Sequence, residues 1–252
     1  MAAPSEVIWI TGASSGIGRA LALRMARDGH RIAASARNQK ALERLAAEAD
    51  GGLIRSFPLD VTDLASVKAA FSGIESALGP VDMAVLAAGN HHPVVATDFR
   101  SADMARLVDI NLIGVANTLE PLMAAMIGRG KGRIAIVSSV AGYRGLPTSA
   151  YYGATKAALI NLAESLKFDL DRHSVTMQLI DPGFVKTPLT DRNTFKMPFL
   201  ISAEEAADAM VRGLRGRGFE ITFPKRFTTI MKLLRCLPYR LYFPLVTRIT
   251  GT

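Results

Sequence analysis

Apolar runs rich in β-branched residues alternate with segments of helical spacing along almost the whole chain. Val7–Thr11 reads as a buried strand, and residues 17–28 as a helix that stops before Gly29. Arg31–Ser35 predicts a second strand, and helical spacing follows through Ala41, Leu42, Leu45 and Ala46. Strands over 53–59 and 83–87 flank a helix over Leu64–Leu78. A long helix over about 101–127 precedes a strand at 133–138. Another over about 151–171 precedes a strand at 175–180, which stops at Asp181-Pro182-Gly183. A helix at 203–214 and a short strand at 219–223 close the alternation. Continuous apolar strands separated by helices predict an α/β fold, a parallel sheet of about seven strands covered on both faces. No internal repeat or low-complexity linker interrupts it. A single domain is expected over 1–223, with an amphipathic C-terminal extension over 224–252.

Composition narrows the class. The 252 residues are 49% hydrophobic and 21% charged, an ordinary globular balance that excludes disordered, collagen-like and disulfide-scaffold chains. Cys236 is the single cysteine, so no intrachain disulfide forms, which fits a reducing compartment. Residues 1–6 carry no basic stretch, and no long apolar run precedes the first strand, so no secretory signal is expected. Nor is there a stretch of ~18 uncharged apolar residues to predict a spanning helix. These readings point to a cytoplasmic protein. The formal net charge is +8, and its placement matters more than its size. From Arg212 onward there are nine basic residues and one acid, Glu220, whereas residues 1–211 carry 21 of each sign. The basicity belongs to the C-terminal end, so a uniformly basic nucleic-acid binder is excluded and no nucleic-acid partner is expected.

The first chemistry-bearing motif is Thr11-Gly12-Ala13-Ser14-Ser15-Gly16-Ile17-Gly18, between the first strand and the first helix. Glycines there allow a tight turn and let backbone N–H groups approach a pyrophosphate at the helix N-terminus. The spacing is Gly-x-x-x-Gly-x-Gly, which differs from the usual dinucleotide fingerprint. With it, the chain resembles the short-chain dehydrogenase/reductase family, whose cofactor turn is Thr-Gly-x-x-x-Gly-x-Gly. The resemblance runs from about residue 5 to about 222 and implies a Rossmann-like doubly wound sheet. Asp60 and Val61 match the family's pair that holds adenine. The family's Asn-Asn-Ala-Gly appears as Leu86-Ala87-Ala88-Gly89, without either asparagine.

Cofactor preference is read at the end of the second strand, Ala34-Ser35-Ala36-Arg37-Asn38. An acid there bonds the ribose hydroxyls of NAD, and Ala36 stands where the family's NAD enzymes carry Asp. A guanidinium at Arg37 pairs with a 2′-phosphate in a forked contact, so the pattern resembles the family's NADP-preferring branch and implies NADP(H). The alternative is that Arg37 only starts the next helix in solvent.

Tyr152 and Lys156 stand four residues apart on one face of a predicted helix. A nearby cation favours phenolate and makes a tyrosine a usable acid/base, since the free phenol titrates near 10. Ser139, in Ser138-Ser139-Val140-Ala141-Gly142, and Asn111 match the family's remaining catalytic positions. The resemblance implies that Tyr152 protonates a carbonyl oxygen while Ser139 bonds it. It also implies that Lys156 holds the nicotinamide ribose and that Asn111 positions a water leading from Lys156. Pro182, Gly183, Val185 and Thr187 match its carboxamide-binding stretch. Tyr151 and Ser138 read as packing residues, and His91 and His92 as loop residues rather than metal ligands.

The implied activity is interconversion of a small-molecule ketone and a secondary alcohol. A non-catalytic NADP(H)-binding sensor or scaffold on the same fold is the alternative, disfavoured by the complete Asn111, Ser139, Tyr152, Lys156 set. The specificity loop is expected over about 184–202, where Phe184, Val185, Leu189, Phe195, Met197, Pro198, Phe199, Leu200 and Ile201 make an apolar lid with Arg192 and Lys196 among them. Such a lid suits a lipophilic ketone. The segment Phe219-Glu220-Ile221-Thr222-Phe223-Pro224 departs from the ending of family members that act on acyl-carrier thioesters. The family commonly pairs subunits through its long helices, so a homo-oligomer is expected.

In the extension, Ile230, Leu233, Leu234 and Leu237 form a one-sided stripe ended by Pro238. Tyr239, Leu241, Tyr242, Phe243, Leu245 and Val246 follow, with Arg240 and Arg248 interleaved. Two readings stay open: a peripheral contact with an anionic membrane surface, on the inner face of a membrane, or packing on the domain or on a partner subunit.

Overall fold

In a computed structural model, residues 5–192 and 197–251 are described. Seven parallel strands lie in the order β3-β2-β1-β4-β5-β6-β7. They are β1 (Val7–Thr11), β2 (Arg31–Ser35), β3 (Ile54–Ser56), β4 (Met83–Leu86), β5 (Gly132–Val137), β6 (Val175–Pro182) and β7 (Glu220–Phe223). Between them run α1 (Gly16–Arg27), α2 (Gln39–Glu48), α3 (Leu64–Leu78), α4 (Ser101–Val108), α5 (Gly114–Arg129), α6 (Ala150–Arg172) and α7 (Ala203–Leu214). The extension forms α8 (Lys225–Arg235) and α9 (Tyr239–Thr250).

Alternation along each strand divides the core into two layers. From β1, Val7 and Trp9 pack among residues of α3, α5 and α6. Ile8 and Ile10 face the opposite way, among α1, α2 and α7. Trp9 is fully buried, and its indole N–H donates to Ser35 Oγ at 2.9 Å, which joins β1 to β2. Local signals set the helix starts: the Asn38 side chain accepts from Ala41 N–H, Asp63 from Ala65 N–H, and Ser202 with Glu205 forms a reciprocal cap on α7.

The strand expected over 53–59 is shorter. Pro58 has no N–H to donate, so regular pairing lapses after Ser56, although Phe57 still donates to Ala34 O of β2 and Leu59 to Ala36 O just beyond it. The expected helix over 101–127 is two helices joined by a π-type turn over Asp109–Ile113. The stretch Ser101–Arg129 is long and apolar enough by composition to cross a membrane. Its Leu107, Val115, Leu119, Leu122 and Met126 are instead buried in the core.

The extension folds back onto the domain, and its buried face differs from the expected stripe. On α8, Phe227, Thr228 and Met231 are buried while Ile230 and Leu233 are exposed. The Phe227 ring sits where a Cβ on Gly183 would come within 2.6 Å, so only glycine at 183 admits it. Arg144 donates to the carbonyls of Leu234, Arg235 and Leu237, and its guanidinium lies 4.0 Å from the Tyr242 ring centroid. The Tyr242 hydroxyl donates to Gly145 O at 2.6 Å.

Candidate active site

In an open parallel sheet, ligands bind beyond the carboxyl ends of the strands where strand order reverses. Here that point lies between β1 and β4, and a cleft of about 760 Å³ opens there. Its lining includes Gly12, Ser14, Ser15, Gly16, Ile17, Gly18, Arg37, Asp60, Val61, Gly89, Ser139, Tyr152, Lys156, Pro182, Gly183, Val185 and Thr187. Two residues from the expected site stand behind this wall. Thr11 is buried, and its hydroxyl accepts from Ala88 N–H at 3.2 Å. It holds the β1 turn against the β4 loop, a bond that stands in the stretch where the family's asparagines are missing. Asn111 is the other.

The glycine turn is dense. Gly12 has φ +70°, and a Cβ there would lie 2.7 Å from Ala87 O; one on Gly18 would lie 2.5 Å from Gly12 O. The first turn of α1 holds no acid, and the Ser15 side chain does not cap it. Its N–H groups and the positive end of the helix dipole are therefore available to an anion. A dinucleotide pyrophosphate fits this cradle. Further along, Asp60 accepts from both the N–H and hydroxyl of Thr62, at 3.0 and 2.8 Å. Those bonds, the backbone one foremost, hold its carboxyl below the usual range, and the Arg37 charge acts in the same direction. Arg37 is exposed and forms no salt bridge among the described residues.

At the other end, α6 presents Tyr152 and Lys156 to the cleft, beside Ser139 at the end of β5. Lys156 is buried; its ammonium donates to Val137 O at 2.9 Å and lies 5.5 Å from the Tyr152 ring centroid. Burial pushes Lys156 down to about 8, against the pull of Asp181. Burial pushes Tyr152 up to about 12, opposed by its hydrogen bond with Ser139. The expected lowering by the neighbouring cation does not appear: burial, and then the Asp181 charge, raise the phenol, and Ser139 alone lowers it.

The π-type turn turns Asn111 fully inward. Its amide donates to Asn90 O and Thr155 Oγ1, both at 3.0 Å, and its oxygen accepts from Asn90 N–H at 2.7 Å. Both amide hydrogens are thus used to clamp the β4 loop to α6. That geometry gives the Asn111 side chain a positioning role between the β4 loop and α6. Tyr151 and Ser138, expected to be packing residues, are both buried, and Ser138 also borders the cleft. The Tyr151 hydroxyl exchanges bonds with the Arg100 backbone, and Ser138 Oγ donates to Lys156 O at 2.8 Å.

Two nearby residues are poorly signalled by the sequence. His91 packs edge-on to the Tyr152 ring with centroids 4.8 Å apart; its only sequence cue is its place two residues after Gly89. Asp181 is fully buried at the end of β6, and neither carboxylate oxygen has a hydrogen-bond partner among the described residues. Burial, and then the charge of Glu220, push its carboxyl up to about 7. Glu220 accepts from the Tyr143 hydroxyl at 2.6 Å and pairs with Lys232 of α8. In the sequence, Asp181-Pro182-Gly183 reads only as a turn.

In the expected specificity loop, Val185 is buried and Leu189 lines the cleft, while Phe199 and Leu200 are exposed. Phe195 and Lys196 lie outside the described residues, as does the Arg192 side chain.

Residues 6–197 match the family model described as short chain dehydrogenase. An uncharacterized oxidoreductase of Myxococcus xanthus is 36% identical over 235 residues, covering 92% of this chain and 93% of the relative. That coverage is longer than residues 1–223, so the likeness reaches into the C-terminal extension. Among solved structures, the actinorhodin polyketide ketoreductase with NADPH is 26% identical with a TM-score of 0.78, covering 87% of this chain and 95% of that one. The 3-ketoacyl-(acyl-carrier-protein) reductase of Brucella melitensis complexed with NADH is 25% identical with a TM-score of 0.79, covering 86% and 96%.

Proposed function

The chain belongs to the short-chain dehydrogenase family, and from that membership we propose that it is an NADP(H)-dependent oxidoreductase that reduces a lipophilic ketone to a secondary alcohol. The observation that carries the reading is that Ser139, Tyr152 and Lys156 share one cleft with the glycine turn and Arg37. The two named structural neighbours carry NADPH and NADH respectively, so the NADP(H) preference rests on this chain's own Arg37. The glycine turn and the α1 N-terminus hold the pyrophosphate, Asp60 and Val61 the adenine, and Arg37 the 2′-phosphate. Pro182, Gly183, Val185 and Thr187 hold the carboxamide end. A nicotinamide held there would be the source of hydride for the carbonyl carbon.

Tyr152, pushed up to about 12, keeps its proton at neutral pH and is suited to donate it to the carbonyl oxygen. Ser139 donates to the same oxygen and stabilises the charge that builds there. Lys156 is positive below about pH 8; it binds the ribose hydroxyls and its field favours the phenolate left after proton donation. Paired subunits belong to the same proposal, through α5 and α6, near which Ile113 and Phe168 are exposed.

A screen of ketones with NADPH, including long-chain 3-keto compounds, tests this reading. Turnover with an apolar ketone is the expected result. NADPH binding without turnover of any carbonyl would make the chain a non-catalytic dinucleotide binder.

A further inference from the structure

The C-terminal helices α8 and α9 leave several large apolar side chains exposed. Among the described residues, thirteen large apolar side chains are exposed, and seven of them lie between Ile230 and Ile249. On α8 the outward residues are Ile230 and Leu233; on α9 they are Leu241, Phe243, Leu245 and Ile249, with Tyr239 at its start. A concentration of this kind marks a contact surface rather than scattered exposure.

The surrounding charge identifies the contact. Lys225, Arg226, Lys232, Arg235, Arg240 and Arg248 are all exposed, and no acid occurs from 221 to the end of the chain. The sole carboxylate of the basic segment, Glu220, is paired with Lys232. Arg226, Arg240 and Arg248 form no salt bridge among the described residues. A second copy of this chain seated symmetrically on the surface would set arginines against arginines. An anionic lipid surface supplies the missing sign, and interfacial helices combine aromatic and aliphatic side chains with arginines in this way.

The surface is also preformed. Arg144 holds the α8 C-terminus by three carbonyls and lies over Tyr239 and Tyr242, and Tyr242 is bonded to Gly145. Phe227, on the inner side of α8, packs against Phe184 and Phe199 of the specificity loop, with centroids 5.2 and 6.1 Å away. Phe199 and Leu200 are themselves exposed there.

We propose that α8 and α9 form a peripheral docking surface for an anionic lipid bilayer, next to the loop whose Val185, Thr187 and Leu189 line the cleft. This stands apart from the proposed catalysis, because vesicle binding is measured without turnover.

The test is co-flotation of the full chain with phosphatidylcholine vesicles and with equimolar phosphatidylcholine–phosphatidylserine vesicles, in low and high salt. The expected result is flotation with the anionic vesicles in low salt, lost with phosphatidylcholine alone and weakened by salt. Arg240→Glu with Arg248→Glu should lower the partition coefficient roughly tenfold or more. Leu241→Ser with Phe243→Ser should do the same by removing apolar contact. All four side chains are exposed, and a thermal melt of each variant separates lost binding from lost folding. Equal flotation with both vesicle types, or wild-type flotation of both folded variants, overturns the proposal. So does dissociation of a dimer by these variants in sedimentation without vesicle binding, which would assign the surface to a second copy.

Discussion

Asp181→Asn isolates the energetic cost of burying the Asp181 carboxylate. In the folded protein the carboxyl is pushed from the ordinary 3.8 to about 7, by burial first and by the Glu220 charge next. Below pH 4 the carboxyl is neutral in both folded and unfolded chains and contributes nothing that depends on pH. Between pH 4 and 7 the unfolded chain has lost that proton while the folded protein keeps it. Stability therefore falls as pH rises, by about 1.4 kcal/mol per unit. Over the roughly three units of the window the loss is about 4 kcal/mol, after which it levels off. Asparagine has nearly the same shape and no titration, so the variant escapes this decline. Urea unfolding of both proteins at steps from pH 4 to 9 should show the variant's advantage growing across the window and flat above it. Lys156 gives a second readout: Asp181 pulls its value up, so the variant's alkaline loss of activity should begin at lower pH. A stability difference that stays constant from pH 4 to 8 would refute the argument and mean that Asp181 is ionised and compensated.

Three further outcomes test other parts of the account. Arg37→Asp should weaken NADPH binding far more than NADH binding in paired titrations; equal loss for both would return Arg37 to a solvated helix start. Gly12→Ala forces a side chain into φ +70° and within 2.7 Å of Ala87 O. Thermal or urea unfolding should show a loss of about 1–3 kcal/mol, with dinucleotide binding reduced beyond that of a surface alanine control. Arg144→Ala removes three carbonyl contacts and the stacking on Tyr239 and Tyr242. It should cost about 2–3 kcal/mol and speed hydrogen exchange in 225–250 more than in β1 or β5.

The strands were legible because both faces of the sheet are covered, so each central strand is a continuous apolar run such as Val7–Thr11. The cleft lining was legible because the glycine turn and the tyrosine–lysine pair have fixed chain spacing. What stayed hidden depends on contacts across the chain. The π-type turn that aims Asn111 inward inserts one residue into a pattern that otherwise reads as one helix. In α8 the apolar residues form a one-sided band, but spacing alone does not say which flank of that band meets the domain. Gly183 makes that choice by leaving room for Phe227, which buries Phe227 and Met231 and turns Ile230 and Leu233 outward. Thr11 has a motif position facing the cofactor turn, yet the partner that claims its hydroxyl is 77 residues away at Ala88. Asp181 shows the same limit, since burial of a carboxylate beside a Pro-Gly step has no local signature.

The central claim is that Tyr152 is the proton donor in a carbonyl reduction. Its most direct test is Tyr152→Phe, assayed by NADPH consumption with the best ketone from the screen and by NADPH titration of the same preparation. The expected result is a fall in turnover of roughly 10²–10⁴-fold, with NADPH affinity close to that of the unaltered protein. Turnover that survives the substitution would contradict it.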